Sequence, residues 1–521
     1  MSAGKMRSIS RRRLLSGAAG LAASVGMGVA LASCGGATGA ATASSAAAPA
    51  ASSATSAAPA VSSSAALSSS ASSSAAPSSA ASSAASSTVS SAVPSSSASG
   101  QVSAATSSAA AKAPAGQGVS IDFVTRSGPF GHTGWYKDTA PNFEKAHPGW
   151  TMNFIEAADV SVAEKFTVLA AGGSPPDVAW FGVISDGGRG PMFQGLFRAI
   201  DDYIAKDKVD ISAYFPASII LFQNNGKQYG LPTHAHFGCN ILYINQDMAD
   251  RMQVQIPTDT AEWDTTAFIT AAQKMTKTES DQWGWWPSVA LEECGTAWLR
   301  TFGGDFFNAD GTKTVIDGAG AIDGLQFMAD AALKYKTIND INRKGGSGGL
   351  FEAGKLGILQ STPGLTAEYS KPGQTRVKFK WTNTVMPTGP GGKRGTQDSG
   401  AGQGVATGAK HADAAWEWVK FITDKDNGVL QVQGGAGSPG ARPDVWADPR
   451  LTSFNHIYTL LVKLFNNTPG PLILPKNNRY FDVMKEANKD VGDVYTGKAA
   501  ARDVATNTAS AVNGILAQPA L

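Results

Sequence analysis

Between residues 119 and 181 the chain runs through VSIDFVT (119–125), TAPNFEKA (139–146), MNFI (152–155), VSVAEKFTVLAA (160–171), a Gly172-Gly173 stop and DVAWF (177–181). Short runs rich in Val, Ile and Phe read as strands, and the intervening segments carry apolar residues at helical spacing. Pro148 closes the first predicted helix and the glycine pair closes the second. Strands separated by helices of this length build βαβ units and a parallel sheet, so the fold class is α/β. The same grammar recurs downstream. Leu356–Leu359 reads as a strand, Glu262–Lys277 as a helix opened by Trp263, and Ala412–Ile422 as a helix whose Ala415, Val419 and Ile422 form one apolar face.

Upstream of this block the chain changes character twice. Ser10-Arg11-Arg12-Arg13-Leu14-Leu15 precedes a Gly/Ala-rich apolar stretch that ends at Leu31-Ala32-Ser33-Cys34. A basic start, a mild apolar middle and small residues before a cysteine have the order of a cleaved export signal. The two halves resemble the twin-arginine signal and the lipobox of bacterial lipoproteins. That resemblance implies a signal peptide over 1–33, cleavage before Cys34, a diacylglycerol on its thiol, and tethering to the outer face of the cytoplasmic membrane. The competing reading is an uncleaved anchor, since Leu14–Ser33 is just long enough to span a bilayer. Residues 34–117 follow as the lipidated cysteine and a Ser/Ala polymer with no aromatic residue and no acid. Such a composition buries too little to offset its ordering entropy, and predicts a disordered stalk reaching roughly 50 Å. Its Ser/Thr content also suits O-glycosylation.

Everything that can fold begins near Gly118. Lys5, Arg7, Arg11, Arg12, Arg13 and Lys112 are the only charged residues before it, so the formal +2 of the whole chain becomes a small net negative charge on the folded part. No nucleic-acid footprint is visible in that balance. A folded part of about 400 residues exceeds what one hydrophobic core usually serves, which predicts two lobes. Cys239 and Cys294 could pair after export or remain buried thiols, and no CxxC metal spacing occurs. All twelve tryptophans lie in the folded part. Trp416 and Trp418 read as core of their helix, whereas Trp283-Gly284-Trp285-Trp286-Pro287 reads as a loop or strand end whose indoles cannot all enter one core face.

Several ordered segments resemble one family. Gly172-Gly173-Ser174-Pro175-Pro176-Asp177-Val178, Tyr229-Gly230-Leu231-Pro232 with Leu242-Tyr243-Ile244-Asn245, and Ile256-Pro257-Thr258 to Trp263 come in that order. Phe302-Gly303-Gly304-Asp305 through Thr312, Phe351-Glu352-Ala353-Gly354-Lys355-Leu356-Gly357-Ile358 and the 412–422 helix follow. Together they look like the extracellular solute-binding proteins of sugar-importing ABC transporters. The resemblance implies a type II periplasmic-binding-protein-like fold, with two hinged α/β lobes closing on a ligand. It divides the chain into lobe 1 (118–232), lobe 2 (233–398), the return to lobe 1 (399–440) and a C-terminal helical part, mainly of lobe 2 (441–521). It also implies a carbohydrate ligand, membrane permease subunits as partners, no cofactor, and a monomer. Two departures stand out: the extra residues between Thr258 and Trp263, and the unusual Gly345-Gly346-Ser347-Gly348-Gly349.

A sugar shows hydroxyls in its ring plane and C–H patches on its faces, so its site needs flat aromatic platforms and planar polar groups. In open α/β sheets that site lies outside the carboxyl ends of the strands. Those rules nominate Trp180 just beyond one strand, Trp135 and Arg126 after the first, and His234 and His236 after an expected crossing at Pro232. From the second lobe they nominate Trp285, Trp286, Glu292 and Ser361, with Trp298 as core. Asp398 and Gln403 sit at the expected second crossing, where Gly400 and Gly402 would let backbone approach a ligand. The His-x-His pair lacks a third ligand nearby, so no metal is expected. Arg126 and the histidines would equally serve an anionic solute such as a polyol phosphate. A hydrolase reading rests on Gly345–Gly349, which lacks the apolar strand a nucleophile elbow needs, and on Glu292-Glu293, which are adjacent rather than opposed. An adhesin reading rests on the stalk alone.

Overall fold

The structure, a computed structural model, describes residues 118–127, 131–183, 188–238, 241–257, 263–288, 290–341, 343, 346–371, 376–434, 440–465 and 472–521. The export signal, Cys34, the stalk and Cys239 lie outside the described residues, as do the side chains of His236 and Asp398.

Two sheets organise the described chain. The first contains β1 (Val119–Arg126), β2 (Trp150–Ala157), β3 (Val178–Gly182), β4 (Leu231–Gly238) and β9 (Gln397–Val405), in the order β2-β1-β3-β9-β4. β1 pairs in parallel with β2 and β3, as the βαβ reading requires, while β9 runs antiparallel to both of its neighbours. The second contains β5 (Ile241–Asn245), β6 (Trp283–Trp285), β7 (Leu356–Ser361) and β8 (Trp381–Val385), in the order β8-β5-β7-β6. Both sheets are covered on their two faces, which is why β3 and β5 are buried along their whole length instead of alternating.

Helix α1 (Gly131–Ala146) begins eight residues before the expected Thr139. Pro141 and two glycines weaken its local signal. Tyr136, Ala140 and Phe143 nevertheless fall on one buried face, and Phe143 meets Trp418 edge-on with ring centroids 5.2 Å apart. Trp418 belongs to α6 (Ala412–Ile422), which lies across the first sheet as its periodicity predicts. On the opposite face α2 (Val162–Ala171) packs on β1 and β3, capped by Ser161, whose hydroxyl accepts from the Glu164 amide at 3.1 Å.

The lobe boundaries move from their expected positions. Residues 231–238 are a strand of the first sheet, so the chain leaves lobe 1 after Gly238 and not at Pro232. Residues 397–405 are likewise a paired strand, so the return is complete before Asp398 and the hinge reading of 398–403 gives way. The physical reason is packing. A Cβ on Gly402 would stand 2.6 Å from the Phe222 ring and one on Gly404 2.6 Å from Phe197, so these glycines make room for aromatic rings on the sheet. The returning segment is held by lobe 2: Arg300 donates to the Thr396 carbonyl at 2.7 Å and the Gly395 amide donates to Thr301 at 3.0 Å. Lobe 1 continues through α7 (Lys425–Gln433) and two short turns at 443–446 and 449–452 packed on it. α8 (Ile457–Phe465) then packs on β8, and α9 (Tyr480–Ala487) and α10 (Ala501–Leu516) pack with lobe 2, α10 against the long helix 319–333.

Candidate functional site

Past the carboxyl end of β3 lies a short turn at 190–193. This turn faces the start of α9, and a small pocket lies between them. Lobe 1 supplies Val183, Arg189 and Phe193; lobe 2 supplies Asn478, Arg479, Tyr480, Phe481 and Asp482. The lobes touch closely here. Gly188 adopts φ +58° and a Cβ on it would stand 2.3 Å from the Phe481 ring, so this position requires glycine for both backbone and space.

The chemistry of the pocket is aromatic rings beside planar polar groups. Phe193 lies under the Arg189 guanidinium, 4.9 Å from its ring centroid. Phe481 is 41% exposed, an unusual state for so large an apolar ring. Arg189 donates one terminal nitrogen to the Gln223 carbonyl, while its buried Nε has no acceptor among the described residues. Burial lowers its pKa to about 10, which leaves it a cation at neutral pH. Arg479 is committed differently: it donates to Asp482 at 3.1 Å and to the Pro519 carbonyl at 3.0 Å.

Tyr480 links the pocket to Glu292, donating its hydroxyl to the Glu292 carbonyl at 3.3 Å. Glu292 lies in a π-turn over Leu291–Gly295 and its Oε1 accepts from Asn488 at 2.8 Å. The other carboxylate oxygen is buried with no donor among the described residues, and burial raises the carboxyl pKa above the ordinary glutamate value. Of the nominated residues, Glu292, Trp135, Trp180, Trp285 and Gln403 each keep a buried polar side-chain atom with no hydrogen-bond partner among the described residues.

The nominated indoles are placed otherwise. Trp285 is fully buried among Phe268, Trp298 and Phe327, and Trp286 is buried with its indole donating to the Ile341 carbonyl at 3.1 Å. Trp283 is buried too, so all three indoles of the 283–286 segment enter the core. Gly284 permits this, because a Cβ there would lie 1.7 Å from the Ala272 carbonyl oxygen of α3 (Thr265–Lys274). Trp135 and Trp180 are also buried, 3% and 2% exposed, and each keeps an indole nitrogen with no acceptor among the described residues. Arg126 lies over Trp180 at 4.7 Å, so that indole supports a guanidinium at the sheet edge.

Other nominees fall into the lobe 1 sheet. His234 is buried in β4 with Nδ1 3.3 Å from the Thr233 hydroxyl. Gln403, opposite Trp180 in the ladder, accepts from the Trp418 indole at 2.7 Å and keeps a buried amide nitrogen without an acceptor among the described residues. Ser361 ends β7, half-buried, and Trp298 is core as expected, donating to Gln360 at 2.8 Å. Among the described residues no group of three His, Cys, Asp or Glu side chains could hold a metal. Arg189, Phe193, Tyr480 and Phe481 escaped the sequence reading. The first two follow a strand end, a usable signal; the aromatic pair after Asn477-Asn478-Arg479 carries none until the C-terminal segment is known to return to the cleft.

Two sheet-containing α/β lobes with a pocket between their facing segments are the architecture of a two-lobed binding protein. The sequence pattern of the bacterial extracellular solute-binding proteins matches residues 131–429, more than half of the chain, and the chain belongs to that family. An arabinooligosaccharide-binding protein of Bacillus subtilis is 24% identical over 298 residues, covering 55% of this chain and 62% of its own. Among solved structures, a substrate-binding protein of Listeria monocytogenes in complex with cycloalternan superposes with a TM-score of 0.66 at 19% identity, over 77% of this chain and 99% of that one. A maltose-bound MalE3 of T. maritima gives 0.64 at 21% identity, over 76% and 100%. These likenesses make the fold type II periplasmic-binding-protein-like.

Proposed function

We propose that this protein is a lipid-anchored receptor that captures a carbohydrate outside the cytoplasmic membrane and presents it to the permease subunits of an ABC importer. The observation that carries the reading is the interlobe pocket, where Phe193 and Phe481 offer apolar faces and Arg189, Asn478 and Tyr480 offer planar donors and acceptors. That mixture matches a pyranose or furanose, which alternates C–H faces with equatorial hydroxyls. A ligand touching both lobes binds the closed arrangement better than the open one and shifts the population toward it, and the permease reads the difference. The carbohydrate-binding relatives support the same class of ligand.

Anchoring through Cys34 and the 34–117 stalk completes the proposal: the lipid holds the receptor at the membrane and the stalk supplies reach. The disulfide at Cys294 suits an oxidising, extracytoplasmic compartment. The test is a thermal-shift screen of the purified chain against neutral and charged mono- and oligosaccharides. A ligand specific for the folded state raises the midpoint by mass action, about 2.7 kcal/mol at a hundredfold excess over Kd. A response confined to non-carbohydrate solutes, or turnover of the sugar, would replace this reading.

A further inference from the structure

We infer that the ligand carries an anionic group, a carboxylate or a phosphate, and that Arg189 is its counter-charge in the pocket. The inference rests on the carbohydrate-binding reading and narrows it to acidic sugars.

Arg189 reaches the pocket wall from lobe 1 and is desolvated there: its Nε is buried and burial alone accounts for its lowered basicity. No carboxylate among the described residues forms an ion pair with it, and Asp482 in the same wall is taken by Arg479. Among the described residues it donates to a neutral acceptor, the Gln223 carbonyl. The face of Phe193 beneath it stabilises a cation and cannot neutralise it. A desolvated guanidinium with a neutral partner is costly, and an oxyanion placed against its free edge recovers that cost through charge-assisted hydrogen bonds.

The remaining pocket groups agree with such a guest. Phe193 and Phe481 offer their faces to the sugar. Neutral sugars would leave Arg189 unpaired on closure. Closure would then strip water from it without return, which penalises the loaded state.

The test is isothermal titration calorimetry of the purified full chain with matched sets: glucose, glucuronate and glucose 6-phosphate; galactose, galacturonate and digalacturonate; and glycerol 3-phosphate as a non-sugar anion. At least one acidic sugar is expected to bind tenfold or more tightly than its neutral parent, and the uronate and phosphate arms tell which oxyanion fits. In R189Q that margin falls to within about twofold. Circular dichroism melting establishes that the variant folds. Should it not fold, the salt dependence of wild-type binding is the second readout, since only an ion-paired complex weakens as screening rises. Neutral parents binding as well as their acids, a margin that survives R189Q, or no anion binding at all would overturn the inference. Binding of neutral sugars alone leaves the carbohydrate reading standing without it, and binding of glycerol 3-phosphate alone keeps the charge and removes the sugar.

Discussion

Phe481 is a large apolar ring left partly exposed, close against the Gly188 backbone of the opposite lobe. Replacing it by alanine removes a platform while disturbing little core, and ligand affinity is expected to fall by about 1–2 kcal/mol, roughly five- to thirtyfold. Titration calorimetry checks this, and an unchanged melting midpoint separates lost binding from lost fold. Glu292 predicts a pH effect whose sign follows from its burial. The folded state holds the proton to higher pH than the unfolded chain, so the contribution to stability is greatest below the ordinary glutamate pKa and is lost as pH rises through the raised value. Glu292→Gln should therefore melt like the wild type in acid and above it near neutrality. A constant difference across pH 4 to 8 would show that the carboxyl is not desolvated. At this scale the sequence was a good guide to which residues are large and flat and a poor guide to where they go. An indole beside Gly and Pro looks exposable, yet Trp283, Trp285 and Trp286 all find core partners once α3 lies against Gly284.

β9 shows how an element can hide in its composition. Glycines at 400, 402 and 404 carry little strand propensity and read as a hinge, yet the segment pairs on both edges, between β3 and β4 in the lobe 1 sheet. Its stability comes from the rings its glycines admit, Phe222 and Phe197, and from ladder hydrogen bonds. Gly402→Ala places a methyl 2.5 Å from the Leu231 carbonyl oxygen as well as against Phe222, and should cost about 1–3 kcal/mol in chemical denaturation. Gly348→Ala is the control: nothing lies within 4 Å of the new methyl, it stands in the helix Gly346–Glu352, and it should stabilise by about 0.5–1 kcal/mol. Reversed signs would mean that the glycines of β9 are a flexible joint after all. The elements whose periodicity was clean, β1, β2, β3, α2 and α6, lie within a few residues of their sequence-based bounds, because each carries its own apolar face.

Across the whole molecule the pocket exists only because distant segments converge. The strand-end loop near residue 189 and the turn before α9 are nearly three hundred residues apart, and three passages between the lobes separate them. The disulfide at Cys294 lies two residues from Glu292 in the same π-turn, and so ties that turn. Reduction with dithiothreitol, or Cys294→Ala, should lower stability by about 2–4 kcal/mol and bring the melting midpoint down by several degrees. An unchanged midpoint under reducing conditions would show that the crosslink adds nothing to the fold.

Taken by itself the sequence determined the fold class, the two-lobed size, the resemblance to solute-binding proteins and the buried faces of its best helices, since each of these is written in local periodicity or in motif order. Tertiary structure alone decided where the chain crosses between lobes, which aromatic rings remain exposed, and that Arg189 stands in the cleft without a charged partner among the described residues. Those properties depend on what lies across a sheet or a groove, and a residue's neighbours in space are set by packing between segments that no local spacing connects.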